Sequence, residues 1–525
     1  MLTLIQSWLD WCFKTPLKSR ISLFLSGALF PLAFAPVNLW PLIFVSFFFF
    51  VTALIRSVPL SPFKIGYYWG LGCFLVGVSW VYVSIHEFGY VPVLGAASLT
   101  LLFVVFWAFF KGVFSYLVIK TIQMSSRSMV ILIAPTLWVL SEFLQSSIFS
   151  GFPWLLAGYS QIDSPLSSLA TWFGVYGLSW FVVAIAAAIV CGLTRPEGRL
   201  YWGVAATLMG VALIARVTLT DTAAIKQQTA LNEKNSLDVA LVQPNIAQEK
   251  KWDRRYFAEI IEILFQESEQ LWSADLVVWP EGAIPAYAHQ VRDITYDLQQ
   301  RAIQNNSHLI LGIPEYDQAR ELSFVALKSF GEQSQTYHKQ VLVPFGEYVP
   351  LEKWLRGLIK FLDLPMSGFT PADVPQVPMQ FDNFTVIPAI CYEIAYPEII
   401  RELSAVNQSA NKASPQLIVT VSNEAWFGES LGPYQHMQMA RMRSLELGIP
   451  LVRSTNDGIT AVVDARGTLI KQLPRYQQSS LRMSVPMTNF ATYYRRWGLA
   501  GVYTLLAISS VFIVLSVWYR KTKGS

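Results

Sequence analysis

Apolar residues run almost without interruption through positions 1–217, give way to a mixed polar stretch, and return at 497–518. A membrane-spanning helix needs about 20 mostly apolar residues. The pattern predicts spans near 21–36, 38–55, 65–85, 91–119, 129–147, 172–193, 200–217 and 497–518. The first apolar run has no small-residue cleavage site and a second follows at once, so it reads as a retained helix rather than a signal peptide. The predicted organisation is a helical region over 1–217, a catalytic-type domain over 218–496, and a last helix with its tail over 497–525.

Within the polar stretch, short apolar runs alternate with helical periodicity. Leu237–Gln243, Leu276–Pro280, Leu309–Ile313, Phe384–Cys391, Leu417–Ser422, Pro450–Ser454 and Ile459–Asp464 read as strands. Arg255–Trp272, Ile294–Ile303 and Tyr434–Leu447 read as helices. Strands separated by helices predict a layered α/β domain, with chemistry beyond the strand ends.

Composition agrees. The 525 residues are 53% hydrophobic and only 14% charged, against about a quarter charged in globular chains. Charge distribution is more informative than the net +4. Basic residues flank the spans at Lys14, Lys18 and Arg20, at Arg56 and Lys64, at Lys120 and Arg127, at Arg195 and Arg199, and at Arg520, Lys521 and Lys523. The alternate connections 86–90 and 148–171 carry no Lys or Arg. Both termini are therefore expected on the cytoplasmic side, with 218–496 outside. Lys111 is the main ionisable exception within the spans, which argues against a carrier or channel. The outside connection Ser150–Gln161 reads either as an aromatic interfacial anchor or as part of a lipid entry.

The cysteines are Cys12, Cys73, Cys191 and Cys391, in no metal-site spacing, and no phosphate or dinucleotide loop is present. No cofactor and no nucleic-acid partner is expected. Cys391 stands alone in the polar stretch, where a strand breaks into a turn, and is a candidate nucleophile. A thiol with an ordinary pKa near 8.5 needs a base to attack a carbonyl, and Glu281 after the Leu276–Pro280 strand can supply one. Lys339, before the apolar run 341–345, can stabilise the resulting oxyanion. His338 is an alternative base.

These segments resemble the nitrilase, or carbon–nitrogen hydrolase, superfamily, and within it the apolipoprotein N-acyltransferase family. The resemblance is carried by Val278-Trp279-Pro280-Glu281, by His338-Lys339 with the run Leu342 to Pro350, by Cys391-Tyr392-Glu393, and by Ser422 to Gly428. It implies an αββα sandwich on a multi-span membrane domain, about eight helices in all. It implies a Glu281–Lys339–Cys391 triad, with Glu347, Tyr392 and Glu393 in support and Trp252 handling substrate. It further implies transfer of an acyl chain from the sn-1 position of a phospholipid, phosphatidylethanolamine first among donors, to the α-amine of a diacylglyceryl apolipoprotein at the bacterial inner membrane. Glu424 departs from the pattern, which more often has Asp there. A membrane-anchored amidase would use the same triad on soluble amides. The segment Trp354–Met366 mixes apolar and basic residues and reads as an arm that dips into the lipid.

Overall fold

The computed structural model describes residues 2–195, 198–220, 236–344, 346–348, 368–406 and 414–523. Helices Val93–Met124, Arg127–Gln145, Ser167–Thr194, Gly198–Leu219 and Ala500–Lys523 are long and apolar enough to cross a membrane. Pro62–Gly77 and Trp80–Phe88, bent by 54°, make a sixth if taken together. The Leu155 side chain packs against this bend: a Cβ added at Gly77 would lie 2.4 Å from its Cδ1. The expected spans 21–36 and 38–55 are shorter than anticipated. They fold as Pro16–Leu29 and Leu42–Ile55, 14 residues each. Fourteen residues at 1.5 Å apiece reach about 21 Å, short of the roughly 30 Å hydrocarbon layer. Pro31 lies in a tight 3₁₀ turn, Phe30–Ala33, which ends the first, and Pro41 precedes the second.

The helices pack closely. A Cβ on Gly72 would lie 1.9 Å from the Phe24 carbonyl oxygen, so only glycine lets Pro16–Leu29 and Pro62–Gly77 approach this far. Lys111 is joined inside the bundle by a second ionisable residue, Glu142. Lys111 Nζ lies 4.4 Å from the Trp138 ring centroid. Glu142 Oε1 accepts from Trp138 Nε1 at 2.7 Å and from Ala157 N at 2.8 Å.

The remaining domain holds two six-stranded sheets. Its strands are β1 (Ser236–Gln243), β2 (Leu276–Val278), β3 (His308–Asp317), β4 (Leu322–Phe330), β5 (Thr336–His338), β6 (Met379–Gln380), β7 (Thr385–Ile390), β8 (Gln416–Ser422), β9 (Leu451–Thr455), β10 (Ala461–Val463), β11 (Leu469–Gln472) and β12 (Ser479–Pro486). The first sheet runs β12-β1-β2-β3-β4-β5 and the second β11-β10-β9-β8-β7-β6. Both are mixed. β1, β2 and β3 are parallel, as are β7, β8 and β9, and the outer pairings are antiparallel.

The sheets face each other through Val239, Leu241 and Ile310 of one and Ile387, Val419 and Val452 of the other. Helices Phe257–Ser268 and Arg292–Gln304 cover the outer face of the first, burying Leu264 and Leu298. Pro397–Ala405 and Gly432–Leu447 pack with the second. The parallel core strands are buried on both sides, which accounts for their unbroken apolar runs.

Candidate active site

Glu281, Lys339 and Cys391, far apart in sequence, converge beyond the C-terminal ends of the central strands. Glu281 follows β2. Trp279 locks that strand end: it is fully buried and donates from Nε1 to Ser268 Oγ at 2.8 Å. The chain then crosses β3 at Gly312, where an added Cβ would lie 2.7 Å from Glu281 Cα. Gly312 thus lets the Glu281 turn lie on the sheet, held by Ala283 N to Gly312 O at 2.8 Å.

Lys339 follows β5 directly. Residues 341–344 after it are irregular: Pro344 lacks an N–H, and Val343 N is capped by Glu347 Oε2 at 2.8 Å. Lys339 is fully buried and its Nζ bridges two carboxylates, Glu281 Oε1 at 3.1 Å and Glu347 Oε1 at 2.6 Å. Burial opposes its charge, but the two carboxylates outweigh that and hold the ammonium well above its ordinary pKa. Burial, with Glu281 nearby, pushes Glu347 up. Its place in the motif is thereby explained: it shares the lysine and shapes the loop. His338 points elsewhere. Its Nε2 pairs with Glu315 Oε2 at 2.6 Å and its ring stacks on Phe324 at 4.5 Å, so of the two candidates it is Glu281 that lies beside the lysine.

Cys391 begins a 3₁₀ turn, Cys391–Ala395, directly after β7. Its φ is +51°, a left-handed conformation that costs a non-glycine residue on the order of 1–3 kcal/mol and gathers at functional sites. It is partly exposed, while Cys12, Cys73 and Cys191 are buried. Ser422 Oγ donates to Cys391 Sγ at 3.3 Å, and the next residue, Asn423, donates its backbone N to Glu281 Oε2 at 2.9 Å. The end of β8 therefore grips both the thiol and the carboxylate. Burial, then the Glu281 charge, push the Cys391 thiol well above its ordinary pKa, with Lys339 and Ser422 pulling the other way. The resting group is a thiol and needs a base at the moment of attack.

The supporting residues divide by task. Glu393 is fully buried and ties the two sides together: Oε1 accepts from Gln340 N at 2.6 Å and Tyr337 OH at 3.0 Å, and Oε2 from Ile390 N at 2.7 Å. Burial raises it to about 7 against the pull of those backbone donors. Tyr392 OH donates to Gly151 O at 2.9 Å, fixing the cysteine turn to the helical region. Trp252 borders the Glu281 turn, its Cζ2 3.7 Å from where a Gly282 Cβ would lie.

Sequence reasoning missed Lys251. It is buried, donates from Nζ to the Glu281 carbonyl at 2.9 Å, and is pushed down to about 8 by burial. It missed His436 and Arg453 as well, which meet Glu424 beneath the cysteine turn. The connection Ser150–Gln161 is the seam between the two regions. Trp154 and Tyr159 are each 1% exposed, which rules out the anchor reading for them. Trp154 Nε1 donates to Gln435 Oε1 at 2.5 Å and Tyr159 OH to Ala395 O at 3.2 Å. The proposed arm at Trp354–Met366 lies outside the described residues. Among those residues no group of His, Cys, Asp or Glu is arranged to hold a metal ion.

Two family profiles match the chain: the apolipoprotein N-acyltransferase N-terminal domain over residues 26–188 and carbon-nitrogen hydrolase over 238–488. An apolipoprotein N-acyltransferase of Vibrio parahaemolyticus is 36% identical over 518 residues, covering 97% of this chain and 98% of that one. One of Pseudomonas aeruginosa is 37% identical over 511 residues, covering 95% and 97%. A solved amidase from Nesterenkonia sp. is 20% identical, covering 51% of this chain and 95% of that one with a TM-score of 0.36. Two matched domains in one chain, and similarity to these relatives along nearly its full length, make it a member of the apolipoprotein N-acyltransferase family, a membrane enzyme of the nitrilase superfamily.

Proposed function

We propose that the enzyme moves a fatty acyl chain from the sn-1 ester of a phospholipid to the α-amine of an apolipoprotein's diacylglyceryl-cysteine, by way of a thioester on Cys391. Phosphatidylethanolamine is the expected donor. The observation that carries this reading is the lysine shared by Glu281 and Glu347, next to a base and a thiol held by adjacent residues of one strand end.

Cys391 Sγ attacks the ester carbonyl while Glu281 takes the thiol proton. Lys339 stabilises the oxyanion. The ester C–O bond breaks, Glu281 returns its proton to the glyceryl oxygen, and lysophospholipid leaves. The acceptor's neutral amine then attacks the thioester. Glu281 removes a proton from the nitrogen, the C–S bond breaks, and that proton restores the thiol. Each half-reaction starts and ends with the same protonation of Glu281, and the acyl bond energy comes from the ester, so no cofactor enters. Trp252, beside the Glu281 turn, is suited to line the path of a lipid chain. Glu347, Tyr392 and Glu393 hold the lysine and the cysteine turn in register.

Topology fits the chemistry. An odd number of spans before residue 218, five with the bent pair taken as one, would leave both termini in the cytoplasm and place 218–496 on the periplasmic face, where both lipid substrates are exposed. A site at the bilayer surface also keeps water from the thioester.

The test is the intact mass of detergent-purified enzyme after incubation with phosphatidylethanolamine, beside Cys391→Ser. A hydroxylamine-labile fatty-acyl adduct on the unmodified enzyme alone supports the reading. An enzyme that forms no adduct and leaves the lipid intact overturns it and turns attention to soluble amides.

A further inference from the structure

We infer that His436 is a positioning residue for the nucleophile: its Nε2–H holds the Cys391 carbonyl and so keeps the cysteine in its left-handed conformation. The inference rests on Cys391 being the nucleophile. His436 lies on Gly432–Leu447 and is 1% exposed. Its Nε2 is 3.0 Å from Cys391 O. A carbonyl oxygen only accepts, so Nε2 must carry a proton.

The other ring nitrogen fits that assignment. Nδ1 is 2.9 Å from Arg453 Nη2 and 3.0 Å from Glu424 Oε1. In the neutral ring it accepts from the guanidinium; in the charged ring it donates to the carboxylate. Nε2 is a donor in both. Burial, with Arg453 alongside, pushes the imidazole below its ordinary pKa and favours the neutral ring.

The support behind the ring is buried. Arg453 and Glu424 are both fully buried and pair at 2.5 Å. Glu424 Oε2 also accepts from Ile459 N at 3.1 Å. Trp154 from the helical seam and Phe427 flank the ring, with centroids 5.9 and 6.2 Å away. Glu424 is thus the carboxylate that orients this histidine. It fits closely against Gly458, where a Cβ would lie 2.0 Å from Glu424 Oε2.

The hydrogen bond acts on geometry rather than on proton transfer. A left-handed cysteine has an unfavourable backbone that needs outside contacts to persist. Fixing its carbonyl fixes the plane of the peptide that follows and hence the direction of the Cα–Cβ bond. A misplacement of about 1 Å at a reacting atom costs on the order of 10²-fold in rate.

The experiment compares His436→Gln with His436→Met by single-turnover acylation of the full-length enzyme in detergent, read by intact mass. The two replacements match in length, and only glutamine can offer an N–H to the Cys391 carbonyl. With Gln the acylation rate should stay within about tenfold of the unmodified enzyme; with Met it should fall on the order of 10²-fold at unchanged phospholipid KM. Equal rates for the two, at any level, or a loss confined to KM, would overturn the inference. Should the Met variant fail to fold, the Gln variant decides: folded and within about tenfold it supports the role, folded and down on the order of 10²-fold it removes it. An unmodified enzyme that forms no adduct would instead sink the thioester reading itself.

Discussion

Glu281 and Lys339 rest mainly on the first sheet, whereas the turn that starts at Cys391 is tied mainly to the helical region, with the end of β8 reaching both. Glu281 rests on Gly312 of β3 and Lys339 continues β5. The cysteine turn is bolted to the seam instead: Tyr392 OH to Gly151 O, Tyr396 OH to Ser150 O at 2.6 Å, and Tyr159 OH to Ala395 O. The helix beneath it is likewise pinned to the bundle, with Gln435 Nε2 donating to Gly77 O at 3.2 Å and Glu446 Oε1 accepting from Val175 N at 2.6 Å. The carboxylate and the lysine thus lean on the first sheet, and the turn of Cys391 leans on the helical region. In the proposed mechanism this registers the attacking sulfur to the helices that border the bilayer.

The sharpest break falls on the sheet side. Lys339→Met leaves two carboxylates, the buried Glu347 and the largely covered Glu281, facing each other without their cation. Acylation should fall on the order of 10³-fold, and folding should weaken by about 3–5 kcal/mol, as for a buried ion pair that loses one partner. Single-turnover acylation and thermal unfolding in detergent measure both. A variant that keeps the rate would show that Lys339 only balances charge.

Gly312→Ala tests the same side without touching a reacting group. The new methyl would meet the Glu281 backbone at 2.7 Å, so the turn must shift. A loss of about 10²-fold in acylation is expected, while labelling of Cys391 by a small alkylating agent in the absence of lipid stays near that of the unmodified protein. If labelling collapses too, the two sides are not held independently.

On the opposite side, Tyr392→Phe removes one hydrogen bond to Gly151. About fivefold is expected from a contact worth roughly 1 kcal/mol, carried by the acylation rate with the phospholipid KM unchanged. A shift in KM alone would assign Tyr392 to lipid binding and loosen the proposed link between the seam and the sulfur.

How much of this was legible in sequence follows from where each residue finds its partners. β7 and β8 are unbroken apolar runs ending in polar residues, so both strands and the Cys391 and Asn423 positions could be read directly. β5 could not, because Thr336–His338 is short and takes its register from β4. The helices were legible as apolar, but their lengths were not: proline-containing segments shortened the first two, and a break at Val78–Ser79 bent the third. His436 carried no local signal. Its helix is buried on almost every side and so shows no single apolar stripe, and its contacts are 45 residues away at Cys391 and 17 at Arg453.

The smallest effect concerns the carboxylate under the cysteine turn. Burial opposes the charge on Glu424, but Arg453 and then His436 outweigh it and hold its pKa at about 2. The folded protein therefore binds this proton less readily than the unfolded chain, whose Glu has a pKa near 4.3. A depressed carboxylate contributes stability that is complete above about 4.3 and is lost as pH falls toward about 2. Glu424→Gln should lower stability at pH 7, where Arg453 loses its partner, and should also flatten this acid limb. The gap in unfolding temperature between the unmodified enzyme and Glu424→Gln is expected to narrow steadily from pH 5 to pH 3. A gap independent of pH would mean that Glu424 serves the turn through shape and hydrogen bonding rather than charge.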